Sequence, residues 1–308
     1  MTTREAVDVQ GYFAEKARSY DERGRGFFGE LSDELLWTTL QQSVLTRLPP
    51  GFSFLEPGGG TGRWSCRLAV ERPDATGVLY DMTPEMLTLA EGRSARHGYA
   101  DRVAHGLGKV ETAAEHFGHR RFDLILNTHH VLGFVDDPAA VVRSLATLLT
   151  ENGVMASFLP SRWYAASLDL AAGRVEDAEI SLTGERWVRA AEPYRHLFTP
   201  GEIRAIHYAA GLTVDLLVGF PSLVLPDTRP GAANGGPLTE EYLSDGAVFR
   251  RVLNMEKELL VDPDSAARGV NLFVVASRSP WRAVQRRGQA ATARQVPFQE
   301  PPSGWLSS

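Results

Sequence analysis

Two short stretches hold the residues whose types and spacing could do chemistry. The first reads Phe54-Leu55-Glu56-Pro57-Gly58-Gly59-Gly60-Thr61-Gly62-Arg63-Trp64. An apolar strand runs into an acid, then glycines at alternate positions, then a helix. Gly58, Gly60 and Gly62 let the backbone turn sharply and approach a ligand with no Cβ in the way. The helix that follows directs its free N–H groups at the same place. A second acid is expected at the end of the next strand, about 20 residues on, to bind ribose hydroxyls. Asp81 supplies it, 23 residues after Gly58 at the end of Gly77-Val78-Leu79-Tyr80-Asp81. Together, loop and acid point to an adenosine-containing cofactor. A dinucleotide site would place a third glycine where this chain has Arg63, because that glycine packs helix on strand. The pattern here is instead acid-x-Gly-x-Gly-x-Gly.

The second stretch is Asn127-Thr128-His129-His130, directly after an apolar run. In open α/β sheets the ligand lies beyond the carboxyl ends of the strands, so these residues face the crevice. Histidine titrates where a general base must. His129 is the first candidate, with His130 second; for either one, packing or a cofactor contact is the competing role. A further set, Arg162, Trp163, Tyr164, Trp187, Tyr194, Arg195 and His196, mixes aromatic and polar groups as a small-molecule pocket does. The same aromatics could equally seat an insertion on the core, and Arg162 or Arg195 could hold a carboxylate or phosphate. No metal site is expected: Cys66 is the one cysteine, and His97, His116 and His119 lack ligand spacing.

The elements that must position these residues follow from the apolar pattern. Residues 9–48 read as helical and stop at Pro49-Pro50-Gly51. Apolar runs at 52–56, 77–80, 122–126 and 153–159, with a weaker one at 102–105, alternate with helical stretches at 62–71, 84–98, 109–117 and 137–150. That alternation implies βαβ units, a parallel sheet and helices on both faces. Residues 160–200 break the rhythm and read as an inserted cap. Thr199 and Pro200 read as N-cap and first residue of a helix ended by Gly211, and 212–218 as a strand. A loop at about 225–238, a helix at about 239–260 and a strand at 270–277 close the domain. The expected division is a helical cover over 1–50, a core over 51–278 and a polar tail over 279–308.

The chain has 308 residues, of which 43% are hydrophobic, enough for one large α/β core with insertions. Its net charge of −6 does not suit a polyanion across the whole surface, although Arg282, Arg286, Arg287 and Arg294 make the tail basic. No apolar run reaches the roughly 18–20 residues of a membrane span. The opening residues lack the apolar stretch of a secretory signal, and a cytoplasmic location is expected.

The ordered motifs resemble class I S-adenosylmethionine-dependent methyltransferases over roughly residues 10–277. The glycine run is similar to their first motif, and Asp81-Met82-Thr83-Pro84-Glu85-Met86-Leu87 to their second. Phe122 to Leu126 followed by His129-His130-Val131-Leu132 resembles their fourth-strand segment, and Leu145 to Val154 the turn before their fifth strand. Phe13 to Asp21 looks like their cofactor-covering N-terminal helix. The nearest subgroup in resemblance holds small-molecule methyltransferases and the enzymes that methylate carboxymethoxyuridine in tRNA. The resemblance implies a Rossmann-like sheet, mostly parallel with an antiparallel last strand, and S-adenosylmethionine as cofactor. It implies cofactor contacts from Tyr20, Glu56, Gly58, Gly59, Gly60, Gly62, Asp81, Met82, Met86, Glu111 and Asn127. It also implies methyl transfer to O, N or C of a small molecule; Arg162, Trp163, Tyr164, Tyr194 and His196 are the expected substrate contacts. A non-methylating cyclisation or elimination and a tRNA acceptor remain as alternatives. Two departures bear on the site. No acid stands cleanly in His105-Gly106-Leu107-Gly108-Lys109-Val110-Glu111, where the adenine amino group is usually met, and the segment from Asp123 to Leu132 looks one residue longer than usual.

Overall fold

A computed structural model of the chain describes residues 7–23, 26–183, 192–225 and 236–279. The helices are α1 Val9–Lys16, α2 Tyr20–Arg23, α3 Phe27–Leu40, α4 Arg63–Glu71, α5 Pro84–Arg96, α6 Ala113–Phe117, α7 Pro138–Ala146, α8 Arg162–Ala171, α9 Val175–Thr183, α10 Pro200–Ala209, α11 Gly236–Leu243 and α12 Gly246–Leu259. The strands are β1 Ser53–Pro57, β2 Thr76–Asp81, β3 Val103–Leu107, β4 Phe122–Asn127, β5 Leu149–Pro160, β6 Thr213–Phe220 and β7 Asn271–Ser277. They form one seven-stranded sheet in the order β3-β2-β1-β4-β5-β7-β6. Strands β1 to β5 pair in parallel, while β7 runs antiparallel to both β5 and β6. This is the Rossmann-like sheet with the antiparallel last strand that the motif order implied.

The period-two alternation of strand side chains divides the core. Phe54, Leu79, Leu124 and Phe273 enter one apolar cluster together with Leu31, Leu35 and Trp64 from α3 and α4. Their neighbours Leu55, Val78, Ile125 and Leu272 enter the opposite cluster with Val142 of α7 and Ile203 of α10. Such strands are buried on both faces, which explains why they read as continuous apolar runs. The order reverses at β1, whose neighbours are β2 and β4, so the carboxyl ends of these strands open a crevice there.

Local chemistry moved several boundaries. The continuous helix expected over 239–260 is two, because Asp245 accepts hydrogen bonds from Ala247 N at 2.7 Å and Val248 N at 3.1 Å and starts α12 afresh. The helix expected over 137–150 ends at Ala146, and β5 already begins at Leu149. The helical reading of 9–48 is likewise interrupted: α1 passes through a 3-10 turn into α2, and α3 ends in a π turn over Gln41–Leu45. Thr199 caps α10 through a reciprocal bond with Glu202, with Pro200 at the first helical position as expected. Between β5 and α10 the chain builds α8 and α9 side by side. Of the expected pocket residues, Trp187 lies outside the described residues, as do most of the 225–238 loop and nearly all of the tail.

Candidate functional site

The glycine loop is shaped by close approaches. Gly58 has φ +67°, and a Cβ there would stand 2.5 Å from Val131 Cγ2. Gly60 has φ +54°, a region that side chains avoid. Beneath the loop, Glu56 is buried and does not reach the crevice. Its carboxylate accepts from Ser65 N at 3.0 Å, from the Ser65 hydroxyl in a short contact, and from Thr128 Oγ1 at 3.2 Å. It therefore ties the start of α4 to the end of β4 and lines neither cavity, where the resemblance implied a cofactor contact. Burial pushes its carboxyl up to about 7, against the pull of these hydrogen bonds. Asp81 accepts from Gly60 N at 2.8 Å through one oxygen and from Thr83 N at 2.8 Å through the other. Burial raises its carboxyl above the usual range.

Above the loop lies a cavity of about 220 Å³. Gly58 and Gly60 form its floor, Asp81, Met82 and Met86 one wall, and Gly108 to Glu111 another; Gln10, Phe13 and Tyr20 cover it. Asp8, Asp81, Glu111 and Asp136 against the single Lys109 make the lining acidic, which suits a cationic ligand. The cover is fastened at two points. Gln10 Nε2 donates to Met82 O at 3.0 Å, while Asp21 takes a hydrogen bond from Thr61 Oγ1 at 2.8 Å and a close ion pair from Arg93.

A second cavity, of about 360 Å³, adjoins the first and shares Phe13, Tyr20, His129 and Phe134 with it. His129 and His130 both adopt left-handed backbone, with φ 49° and 68°. This double turn carries the chain from β4 past the glycine loop in the segment whose length drew attention in the sequence. Left-handed backbone costs roughly 1–2 kcal/mol at a residue with a side chain, and such strain concentrates at functional sites. Trp64 Nε1 and Arg63 Nη2, both on α4, donate to His129 Nε2. That nitrogen is therefore the acceptor, and the proton of the neutral ring sits on Nδ1. Burial, Arg63 and His130 hold this histidine well below its usual range. His130 is held the other way: Nε2 donates to Asn271 Oδ1 at 2.8 Å, and the ring stacks on Phe158. Burial and the Arg195 charge push it down to about 3.

The remaining expected residues divide. Gly59 and Gly62 shape the turn, and a Cβ on Gly59 would meet Leu79 Cγ at 2.6 Å. Asn127 is buried at the end of β4, donates to Ser157 Oγ at 3.2 Å, and lines neither cavity. Tyr194 lines the first cavity and donates to Asp136 in a short contact. Arg162, Trp163, Tyr164 and His196 line neither. Arg162 pairs with Glu202 at 2.8 Å and donates to Leu197 O at 2.9 Å, while Trp163 is exposed and Tyr164 packs on the core. Arg162 and Tyr164 thus seat the insertion on the core, whereas Tyr194 lines the first cavity and Arg195 the second. Tyr12, Lys16, Arg63, Phe134 and Asn271 belong to the second cavity or its support without having been singled out. Arg63 alone carried a local signal, standing directly after the last glycine of the loop.

Comparison with known proteins bears directly on this arrangement. A family model described as a methyltransferase domain matches residues 49–189. The matched stretch, somewhat under half of this chain, contains the glycine loop, Asp81 and both histidines of the turn after β4. A curated relative, the tRNA 5-carboxymethoxyuridine methyltransferase of Escherichia coli K12, is 29% identical over 127 residues, 41% of this chain and 47% of that protein. The chain thus spans about half the length of the curated relatives it matches. Among solved structures, the [4+2]-cyclase SpnF has TM-score 0.58 at 13% identity, covering 89% of this chain and 96% of that one. The plantazolicin methyltransferase BamL, solved with S-adenosylhomocysteine, has TM-score 0.52 at 15% identity, covering 88% and 94%. At such identities the likeness is one of fold. The BamL structure carries S-adenosylhomocysteine, and the lining of the first cavity of this chain suits a ligand of that kind. Gly58 and Gly60 line that cavity with bare backbone, the Asp81 carboxylate on the wall offers an acceptor for a ribose diol, and the acidic lining suits a sulfonium. Gly108 to Glu111 would meet adenine with backbone groups and with Glu111, which is exposed at the rim.

Proposed function

We propose that this chain transfers a methyl group from S-adenosylmethionine to a small molecule held in the second cavity. The observation that carries the reading is the continuity of the two cavities through His129, with Asp81 and the glycine loop closing the far end of the first. When bound, the cofactor supplies a methyl group on a sulfonium, activated for in-line displacement. The protein's work is then to hold, align and exclude water. Gly58 and Gly60 let the backbone approach, Asp81 takes the ribose hydroxyls, and Phe13 and Tyr20 close the cover. His129 acts here as a hydrogen-bond donor through Nδ1–H, because Trp64 and Arg63 occupy the nitrogen that a base would need free. That changes the role read for it from sequence.

Calorimetric titration of S-adenosylmethionine and S-adenosylhomocysteine into the full chain tests the reading. Micromolar binding is expected, weakened at least about tenfold by Asp81→Ala, the loss of one charge-assisted pair. Absence of binding to a folded sample would end the proposal. The curated relative acts on tRNA, which makes an RNA acceptor the second reading. Unmodified tRNA offered in the same methyl-transfer assay as small acceptors separates the two.

A further inference from the structure

We infer that the second cavity takes an acceptor bearing a carboxylate on an aromatic or apolar skeleton, and that the carboxylate oxygen itself receives the methyl group with neither His129 nor His130 acting as base. The inference rests on the reading that the adjoining cavity holds S-adenosylmethionine. Three observations carry it.

The first is charge. Lys16, Arg63 and Arg195 face this cavity against Glu192, whereas the neighbouring cofactor cavity is acidic and the whole chain carries −6. Arg63 is matched by Asp33 at 2.8 Å, and Arg195 by Glu192 at 3.8 Å. Lys16 has no such acid among the described residues; its ammonium rests 3.4 Å from the centre of the Tyr12 ring. Among the described residues the surplus is one positive charge, which matches a monoanion such as a carboxylate better than a dianionic phosphate. The second is the state of the histidines. His129 Nε2 already accepts two N–H groups, and a proton collected by His130 would sit beside the Arg195 guanidinium. A hydroxyl or ammonium acceptor must give up a proton, and neither histidine is arranged to take it. A carboxylate arrives with its lone pair free. The third is the wall: Tyr12, Phe13 and Phe134 present ring faces and edges, with Phe13 and Phe134 centroids 5.2 Å apart.

The step balances without a proton. A carboxylate oxygen forms the O–CH3 bond, the S–CH3 bond breaks, and sulfur keeps its electron pair. A carboxylate anion and a sulfonium become a methyl ester and a neutral thioether.

The test uses the full chain loaded with S-adenosylhomocysteine, titrated with benzoate, phenylacetate and indole-3-acetate and with the primary amide of each, followed by ligand-observed NMR. Benzylphosphonate serves as the phosphorus arm. At least one carboxylate is expected to bind about tenfold or more tighter than its amide, to lose that preference in Lys16→Gln, and to regain most of it in Lys16→Arg. S-adenosylhomocysteine affinity should stay within about twofold in both variants, which also reports that they are folded. With S-adenosylmethionine present, the preferred carboxylate is expected to yield a base-labile methyl ester. Equal binding of acid and amide, no carboxylate binding at millimolar concentration, preference for the phosphonate, or a preference untouched by Lys16→Gln would overturn the inference. Failure of S-adenosylhomocysteine to bind at all is a separate result and removes the reading beneath it.

Discussion

Glu56 is the residue at which position and chemistry are most tightly bound together. Its carboxylate sits out of water under the glycine loop, held by Ser65 and Thr128, and burial still pushes it up to about 7. An acid whose folded value lies above its unfolded value binds its proton more tightly when folded. Its contribution to stability is therefore fully present below about pH 4.5 and is lost as pH rises through about 7, by on the order of 3 kcal/mol. Glu56→Gln keeps the acceptor for Ser65 and can donate to the Thr128 hydroxyl, so the loop should persist. The difference in melting temperature between variant and native chain should then grow in the variant's favour as pH rises from 5 to 8. A pH-independent difference in paired thermal melts would show that the carboxyl is ordinary. His129 and His130 act in the opposite sense, losing stability as pH falls below their unfolded value near 6.5, so only the comparison between variants isolates Glu56. The glycines and Asp81 were legible in sequence because a tight turn against a ligand and an acid at the end of the next strand are local demands. Lys16, Phe134 and Asn271 were not, because their place in the cavity depends on segments distant in sequence docking together, which leaves no local trace.

At the scale of elements, the cover is the part whose attachment can be counted. Helices α1 and α2 lie over the cofactor cavity, and Asp21 joins them to both sides of it by accepting from Thr61 in the loop and Arg93 on α5. Arg93 Nε also donates to Thr61 O at 3.0 Å, so one arginine gathers loop and cover together. Both partners of the ion pair are partly exposed, which limits its worth to about 1 kcal/mol. Asp21→Ala should therefore leave global stability nearly unchanged while letting the cover open more often. In stopped-flow displacement, S-adenosylhomocysteine should leave the variant roughly three- to tenfold faster. An unchanged release rate would mean that Gln10 and the packing of Phe13 hold the cover by themselves. Element types were largely readable because strands buried on both faces make unmistakable apolar runs, and α10 announced itself with a complete capping box. The break between α11 and α12 was not: an apolar period continues across it, and only the Asp245 cap starts the second helix. The insertion divides for a related reason: arginine and aromatic residues that seat helices on a core have the same composition as those that line a pocket, and here Tyr194 and Arg195 line the cavities while Arg162 and Tyr164 hold the insertion to the core.

For the molecule as a whole, the cofactor cavity gathers residues from α1, the β1–α4 loop, the end of β2, the loop after β3 and the turn after β4. Asp81 ties the glycine loop to the end of β2, Gly108 N donates to Asp81 O at 2.9 Å, and Trp64 with Arg63 holds the turn after β4 through His129, while α1 is joined by the cover latch at Gln10. A ligand there crosses the point at which strand order reverses, and it binds a surface that exists only when the chain is folded. Mass action then makes it a stabiliser of the entire domain. At a hundredfold excess over its dissociation constant, S-adenosylhomocysteine should add about 2.7 kcal/mol, or roughly 5–10 °C in melting temperature for a domain of this size. Asp81→Ala, if it weakens binding tenfold, should keep about 1.4 kcal/mol of that at the same concentration. Scanning calorimetry at several ligand concentrations measures both, and the slope against the logarithm of concentration reports whether a single site is involved. An equal shift in native chain and variant would place the ligand away from Asp81, and the acidic cavity would then need another occupant.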